Sequence, residues 1–268
     1  MELIRNEDIL YAARRTNLEI SEISYGYLDS EWNMENLRAS FTRVYLPLEG
    51  EGILTLDKGT VRLLPGNIYV VPSELKFSGF CPHRLNKIYI HLTLTRPDGS
   101  DLFAGIDDCI ILPDSKSYIS EIETLCHEKD IRSILRLKLL LHDILYEALT
   151  HRPPVHPKLK DYTPITKAAL SYIDDHLSAS LTIDEIANAL FVSKLVLQKK
   201  FKADLDKSIG AYIDSCLMAR AERLLLEPSL TVKEISERLG FCDQFYFSRK
   251  FSATHGISPR TFRKLHVI

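Results

Sequence analysis

Two hydrophobic periods divide this chain. Between residues 20 and 112, apolar positions come in short runs that alternate with polar ones and stop at turn residues. Phe41-Thr42-Arg43-Val44-Tyr45-Leu46 leads into Glu49-Gly50-Glu51-Gly52, and Ile53-Leu54-Thr55-Leu56 into Asp57-Lys58-Gly59. Val61-Arg62-Leu63 precedes Pro65-Gly66-Asn67 and Ile68-Tyr69-Val70-Val71, and Lys87-Ile88-Tyr89-Ile90-His91-Leu92-Thr93 alternates throughout. A period of two predicts strands, and several short strands at this spacing predict a β-sandwich or barrel. Over residues 117–150 the period lengthens to that of a helix. Ile134, Leu137, Leu141, Ile144 and Ala148 recur at gaps of three and four, while Leu135, Leu139, Leu140 and Leu145 supply a second apolar face. A helix apolar on two sides can cover its own β-domain and also seat a partner copy, so a homodimer is expected.

His151-Arg152-Pro153-Pro154-Val155-His156-Pro157 interrupts the pattern with three prolines, which remove backbone donors and fix φ. The expected organisation is therefore α+β and multidomain. It comprises a β-domain over 1–112, a helical and dimerising segment over 113–150, a linker over 151–163, and an all-α domain over 164–268.

That last domain carries an internal repeat. Thr182-Ile183-Asp184-Glu185-Ile186-Ala187-Asn188-Ala189-Leu190 returns 49 residues later as Thr231-Val232-Lys233-Glu234-Ile235-Ser236-Glu237-Arg238-Leu239. Thr182 with Glu185, and Thr231 with Glu234, have the spacing of capping boxes and fix where each copy begins. After each copy comes a turn and then a second helical stretch. A long helix over Ala211–Leu226, stopped by Pro228, connects the two copies. In the first stretch Ser193 is the expected N-cap, and Leu197 and Phe201, four apart, face inward. Lys194, Leu195, Gln198, Lys199 and Lys202 are left outside, and the four lysines of residues 194–202 (Lys200 is the fourth), with no acid among the nine, suit a helix between two phosphate strands. In the second, Asp243 caps, Phe247 and Phe251 face inward, and Gln244, Phe245, Ser248 and Arg249 face outward. Glutamine can pair with adenine and arginine with guanine in two hydrogen bonds each, and Phe245 can pack on a thymine methyl. Two such helix-turn-helix units point to double-stranded DNA as the partner. The turns differ: Gly240 in the second copy accepts a positive φ, whereas Phe191 stands at its counterpart. A different geometry is therefore expected for the first turn.

Residues 165–264 resemble the AraC-type DNA-binding domain. The resemblance is carried by Leu239-Gly240-Phe241-Cys242-Asp243-Gln244-Phe245-Tyr246-Phe247-Ser248-Arg249-Lys250-Phe251 and by Gly256-Ile257-Ser258-Pro259-Arg260-Thr261-Phe262-Arg263-Lys264. It implies seven helices, two of which enter successive major grooves. It also implies base reading by Leu195, Gln198 and Lys199, and by Gln244, Phe245, Ser248 and Arg249, and adds RNA polymerase as a candidate partner. The chain departs from the family pattern at Phe191, at Asp206-Lys207-Ser208-Ile209 where a Gly-x-Ser-Pro turn is common, and at Leu217.

Gly50-Glu51-Gly52, Leu64-Pro65-Gly66-Asn67 and Val71-Pro72 resemble the cupin-like sensing barrel often attached to this family. A metal-dependent cupin enzyme would need a His-x-His pair and a third histidine on a later strand. His83 and His91 are isolated, and Lys76-Phe77 stands where the later histidine would be, so no metal and no cofactor are expected. Arg43 and Tyr45 share one face of their strand, and Lys87, Tyr89 and His91 share one face of theirs. They line a small-molecule effector pocket or face solvent. The alternatives to an effector-responsive regulator are a cupin enzyme with an appended DNA-binding domain, and a regulator whose N-terminal domain binds only a protein.

Charge and cysteine change little. Net charge is −2 overall, with 15 Lys+Arg against 13 Asp+Glu over residues 161–268, so DNA attraction must come from local clusters. Five scattered cysteines (Cys81, Cys109, Cys126, Cys216, Cys242) show neither metal spacing nor an even disulfide count, which fits a reducing cytoplasm. The acidic N-terminus lacks the apolar core of a signal peptide, and no run is long enough for a membrane span.

Overall fold

The computed structural model describes residues 7–155 and 162–266. The expected linker at 151–163 therefore lies partly outside the described residues, at 156–161. The chain forms two compact units, Met1–Lys158 and Leu159–Ile268.

The first unit opens with helix α1 (Glu7–Arg15). Strands follow as β1 (Leu18–Asp29), β2 (Asn33–Leu37), β3 (Thr42–Gly50), β4 (Gly52–Leu56), β5 (Gly59–Leu63), β6 (Ile68–Val71), β7 (Phe77–Phe80), β8 (Arg84–Leu94) and β9 (Ile110–Leu112). They make two antiparallel sheets, one of five strands in the order β1-β8-β3-β6-β9 and one of four in the order β2-β7-β4-β5. Among the described residues no ladder joins the two sheets, so the unit is an antiparallel β-rich domain of two sheets. Helices α2 (Lys116–His127) and α3 (Ile131–His151) complete the unit.

Alternation decides what each sheet face meets. On the five-stranded sheet Val44, Leu46, Ile68, Val70, Ile88, Ile90 and Leu92 point one way. They pack with Ile119 and Ile122 of α2 and Leu137, Leu140, Leu141, Ile144, Leu145 and Ala148 of α3. The opposite face meets the smaller sheet, from which Leu54, Leu56 and Phe77 are buried.

The helical segment is two helices, and the second corrects an expectation about its buried face. On α3, Ile134 is 49% exposed, whereas Leu140 and Leu145 belong to the buried face. The buried stripe is thus wider than an a/d seam, because α3 lies across a broad sheet surface. The outer stripe is Ile131, Ile134, Leu135, Leu139 and Tyr146.

The second unit consists, over its described residues, of α4 (Pro164–Asp175), α5 (Ile183–Ala189), α6 (Lys194–Leu205), α7 (Ile209–Leu225), α8 (Val232–Arg238), α9 (Gln244–His255) and α10 (Pro259–His266). Helix α7, about 25 Å long at 1.5 Å per residue, belongs to two small cores. Near its start Tyr212 meets Phe201 edge-on at 5.4 Å. Near its end Glu222 lies 2.7 Å from His255, and the Leu225 carbonyl accepts from Arg263 at 2.9 Å.

Leu141→Ala removes a fully buried side chain and should cost about 2–5 kcal/mol. Leu139→Ala, on the outer face, should change monomer stability by less than about 0.5 kcal/mol. Urea unfolding of dilute protein checks the pair; equal losses would mean that the two faces are misassigned.

Candidate nucleic-acid interface and effector site

Both repeats open on complete capping boxes. Thr182 accepts from the Glu185 amide while Glu185 accepts from the Thr182 amide, and Thr231 with Glu234 does the same. Glu185 and Glu234 are held below the usual carboxylate range by these hydrogen bonds, backbone first and hydroxyl second. The second helices start as the sequence suggests. Ser193 accepts from the Val196 amide, and Asp243 from the Phe245 and Tyr246 amides.

The first turn, expected to differ, does not. Phe191 has φ 54° and Gly240 φ 73°. In the first copy the amides of residues 191 and 192 donate to Asn188 and Ala187; in the second, those of 240 and 241 donate to Glu237 and Ser236. Phe191 tolerates the left-handed region because its side chain, 96% exposed, meets no packing conflict. Gly240 has no such freedom: a Cβ there would lie 2.1 Å from Ser178 Oγ. The substituted C-terminal turn is also preserved. Asp206 ends α6 at φ 54°, as Gly256 ends α9 at φ 74°, and Ser208 accepts from the Ala211 amide as Ser258 does from the Thr261 amide.

Leu197, Phe201, Phe247 and Phe251 are buried. Lys194, Leu195, Gln198, Lys199 and Lys202 on α6, and Phe245 and Arg249 on α9, are exposed; Gln244 and Ser248 are partly so. The Lys194 ammonium is 2.7 Å from Asp184, so part of its charge is met within the unit. Lys250, half-turned inward, pairs with Asp214 of α7 at 2.5 Å. Exposed Val196 and Tyr246, next to these residues on the same helices, escaped the sequence reading. The 45% exposure of a tyrosine in a Phe-rich stretch is set by α9's rotation, which spacing alone does not fix.

In the β-unit all five sequence candidates share one interior. Antiparallel register places Glu22, His91 and Arg43 side by side across β1, β8 and β3, and Ser24, Tyr89 and Tyr45 in the next row. Lys87 follows beside Gly26. Arg43 and Lys87 are each 1% exposed, and Tyr45, Tyr89 and His91 are buried. The solvent-facing alternative is thereby excluded. Arg43 lies over Phe41 at 4.6 Å and Phe77 at 5.3 Å. Lys87 Nζ lies 3.8 Å from the Tyr45 ring and 4.5 Å from that of Trp32. Gly79 lets the Trp32 ring lie on β7, since a Cβ would come within 2.8 Å of it. Glu22, Trp32 and Phe77 join the site from remote positions, and no local pattern announced them.

Charge here is set by burial. Burial drives Lys87 down to about 7, aided by Arg43, and drives His91 down to about 4 although Glu22 lies 3.0 Å away. Burial raises Glu22, but hydrogen bonds from His91, Tyr89 and Ser24 outweigh it and hold the carboxylate low. Burial lifts Tyr45 to about 12. Among the described residues, no group of three His, Cys, Asp or Glu side chains is placed to hold a metal, and no helix is long and apolar enough to cross a membrane.

A helix-turn-helix domain family matches residues 186–265. The chain is 28% identical over 235 residues to the Msm operon regulatory protein of Streptococcus mutans, covering 82% of this chain and 83% of that one. It is 23% identical to the HTH-type transcriptional activator Btr of Bacillus subtilis, covering 80% of this chain but 42% of that longer one. The structure of ToxT from Vibrio cholerae matches with a TM-score of 0.55 at 13% identity, covering 91% of this chain and 98% of ToxT. ToxT has also been solved bound to an unsaturated fatty acid. Two helix-turn-helix motifs behind a β-rich unit define a DNA-binding transcriptional regulator. Residues 186–265 match an AraC-type helix-turn-helix domain, and the chain's relatives are regulators of that type.

Gly240→Ala should destabilise the protein by more than about 1 kcal/mol, from left-handed strain plus the Ser178 contact. Phe191→Gly should be neutral or stabilising by up to about 1 kcal/mol. Thermal melts of both variants decide; equal losses would show that the two turns are not equivalent.

Proposed function

We propose that this regulator reads two neighbouring stretches of a DNA major groove, with α6 and α9 as its reading helices. The carrying observation is the matched pair of caps, turns and buried phenylalanines, which leaves Leu195, Gln198 and Lys199 on one helix and Gln244, Phe245, Ser248 and Arg249 on the other in equivalent outward positions. Gln198 and Arg249 discriminate bases; Lys194, Lys199 and Lys202 add phosphate attraction. The compartment is the cytoplasm, and RNA polymerase is the protein the bound regulator would contact. The reading as a regulator and not an enzyme rests on the relatives, which are named as regulatory proteins.

The β-unit is the sensor. A sheet stacked on another sheet ordinarily buries apolar residues between them, yet here arginine, lysine, glutamate, histidine and two tyrosines occupy that space. Such burial is costly without a compensating partner, and a small effector is that partner. ToxT, which shares the fold, takes a small lipid ligand. The effector must favour one state of the regulator by differential affinity.

Two copies associate through the outer stripe of α3, whose Ile131, Leu135 and Leu139 follow one another at helical spacing while exposed. Leu135→Asp with Leu139→Asp should convert a dimer into a folded monomer in sedimentation velocity; an unchanged dimer would place the interface elsewhere.

DNA selected from genomic fragments provides the cognate site for the main test. Gln198→Ala and Arg249→Ala should each lose about 5- to 150-fold in affinity there and little on random DNA. Lys202→Ala should weaken both alike and flatten the salt slope by about one. If all three variants weakened specific and random DNA equally, base reading by α6 and α9 would be refuted.

A further inference from the structure

The interior of the β-unit carries information about ligand charge. We infer that its effector is a small organic anion, whose negative oxygens are taken by Lys87 and the Trp32 indole N–H while its carbon frame packs on the aromatic wall. This rests on the effector reading of the same interior.

Arg43 and Lys87 are basic, Glu22 is the acid of the cluster, and His91 is neutral because burial has driven it down to about 4. Glu22 is already committed: the Tyr89 hydroxyl donates to it at 2.8 Å, Ser24 at 3.3 Å, and His91 Nδ1 lies 3.0 Å away. Lys87 is not supplied by it. The groups acting on the Lys87 ammonium, besides burial, are Arg43 and Cys81, with no carboxylate among them, and its near neighbours are the rings of Tyr45 and Trp32. Aromatic faces attract an ammonium but do not neutralise it.

Donor and acceptor capacity points the same way. Trp32 Nε1 is buried and makes no hydrogen bond within the protein. It can only donate, as can a lysine ammonium. Two adjacent donors with no acceptor assigned to them, one an amine that burial leaves about half-protonated near pH 7, suit a ligand that brings acceptors and negative charge. Thr93 Oγ1, also buried without a hydrogen-bond partner, shares the inner face of β8 and can serve either way. Across from them Leu54, Leu56 and Phe77 of the smaller sheet offer apolar surface, which suits a carbon frame and not a free inorganic ion.

The test uses the purified full-length protein and matched probes: acetate with acetamide, phenylacetate with phenylacetamide, and glucuronate with glucose. Binding is followed by calorimetry and by thermal shift at constant ionic strength. The acid of at least one pair should bind and raise Tm while its neutral partner does not. Losing one partner of a buried charge pair weakens binding by about 30-fold or more, which is the loss expected for Lys87→Met. Without ligand, Lys87→Met should melt no lower than the wild type, because a buried charge has been removed. The Lys87 Cε resonance adds a readout that packing alone would not move, as a bound anion raises its titration midpoint and a neutral ligand does not. Trp32→Phe, which keeps the ring and loses the N–H, should weaken the acid and leave the fold intact. Neutral probes that bind as well as their acids, or acids that bind Lys87→Met unchanged, would overturn the anion class and leave the effector reading standing. Silence from every probe, with Lys87 titrating identically throughout, would overturn both.

Discussion

Helix α7 sets the geometry on which the helical unit depends. Its first turns belong to the core around Phe201, and its last turns to the core around His255 and Arg263. A seventeen-residue helix shared by two cores leaves little freedom between them. The exposed faces of α6 and α9 are therefore presented at a fixed offset, and a fixed offset is what successive turns of B-form DNA require. Lys250, paired with Asp214 of α7, ties α9 to the same connector.

The β-unit obeys a different constraint, the two-residue alternation of a strand. Strand β8 sends Ile88, Ile90 and Leu92 to the helices and Lys87, Tyr89, His91 and Thr93 toward the smaller sheet. Fold stability is concentrated on the first face, where α2 and α3 close an apolar core. The second face is thereby released to carry polar chemistry at a stability cost. That division lets one sheet be a scaffold on one face and, in the proposed function, a sensor on the other.

How far this was legible depended on the range of each interaction. Capping boxes are local, so Thr182 with Glu185 and Thr231 with Glu234 could be read directly, and so could the buried Leu197–Phe201 and Phe247–Phe251 pairs. The turn at Phe191 misled because glycine is the familiar residue for a positive φ; its strain is tolerable only where the ring meets solvent, which one sequence does not reveal. The candidates Arg43, Tyr45, Lys87, Tyr89 and His91 could be placed on common strand faces, but not buried. Their burial needs Trp32 and Phe77 to arrive from distant segments. On α3, Ile134 and Leu140 exchanged sides because the breadth of the surface beneath the helix, and not its period alone, decides which flank is covered.

The central claim is that two equivalent helices, held by one connector, read two adjacent stretches of DNA. Hydroxyl-radical footprinting of the full-length protein on a selected genomic site measures this directly. The account predicts, for each bound copy, two protected stretches on the same DNA face, about 10 base pairs apart. A single protected stretch per copy, or two on opposite faces of the duplex, would contradict it.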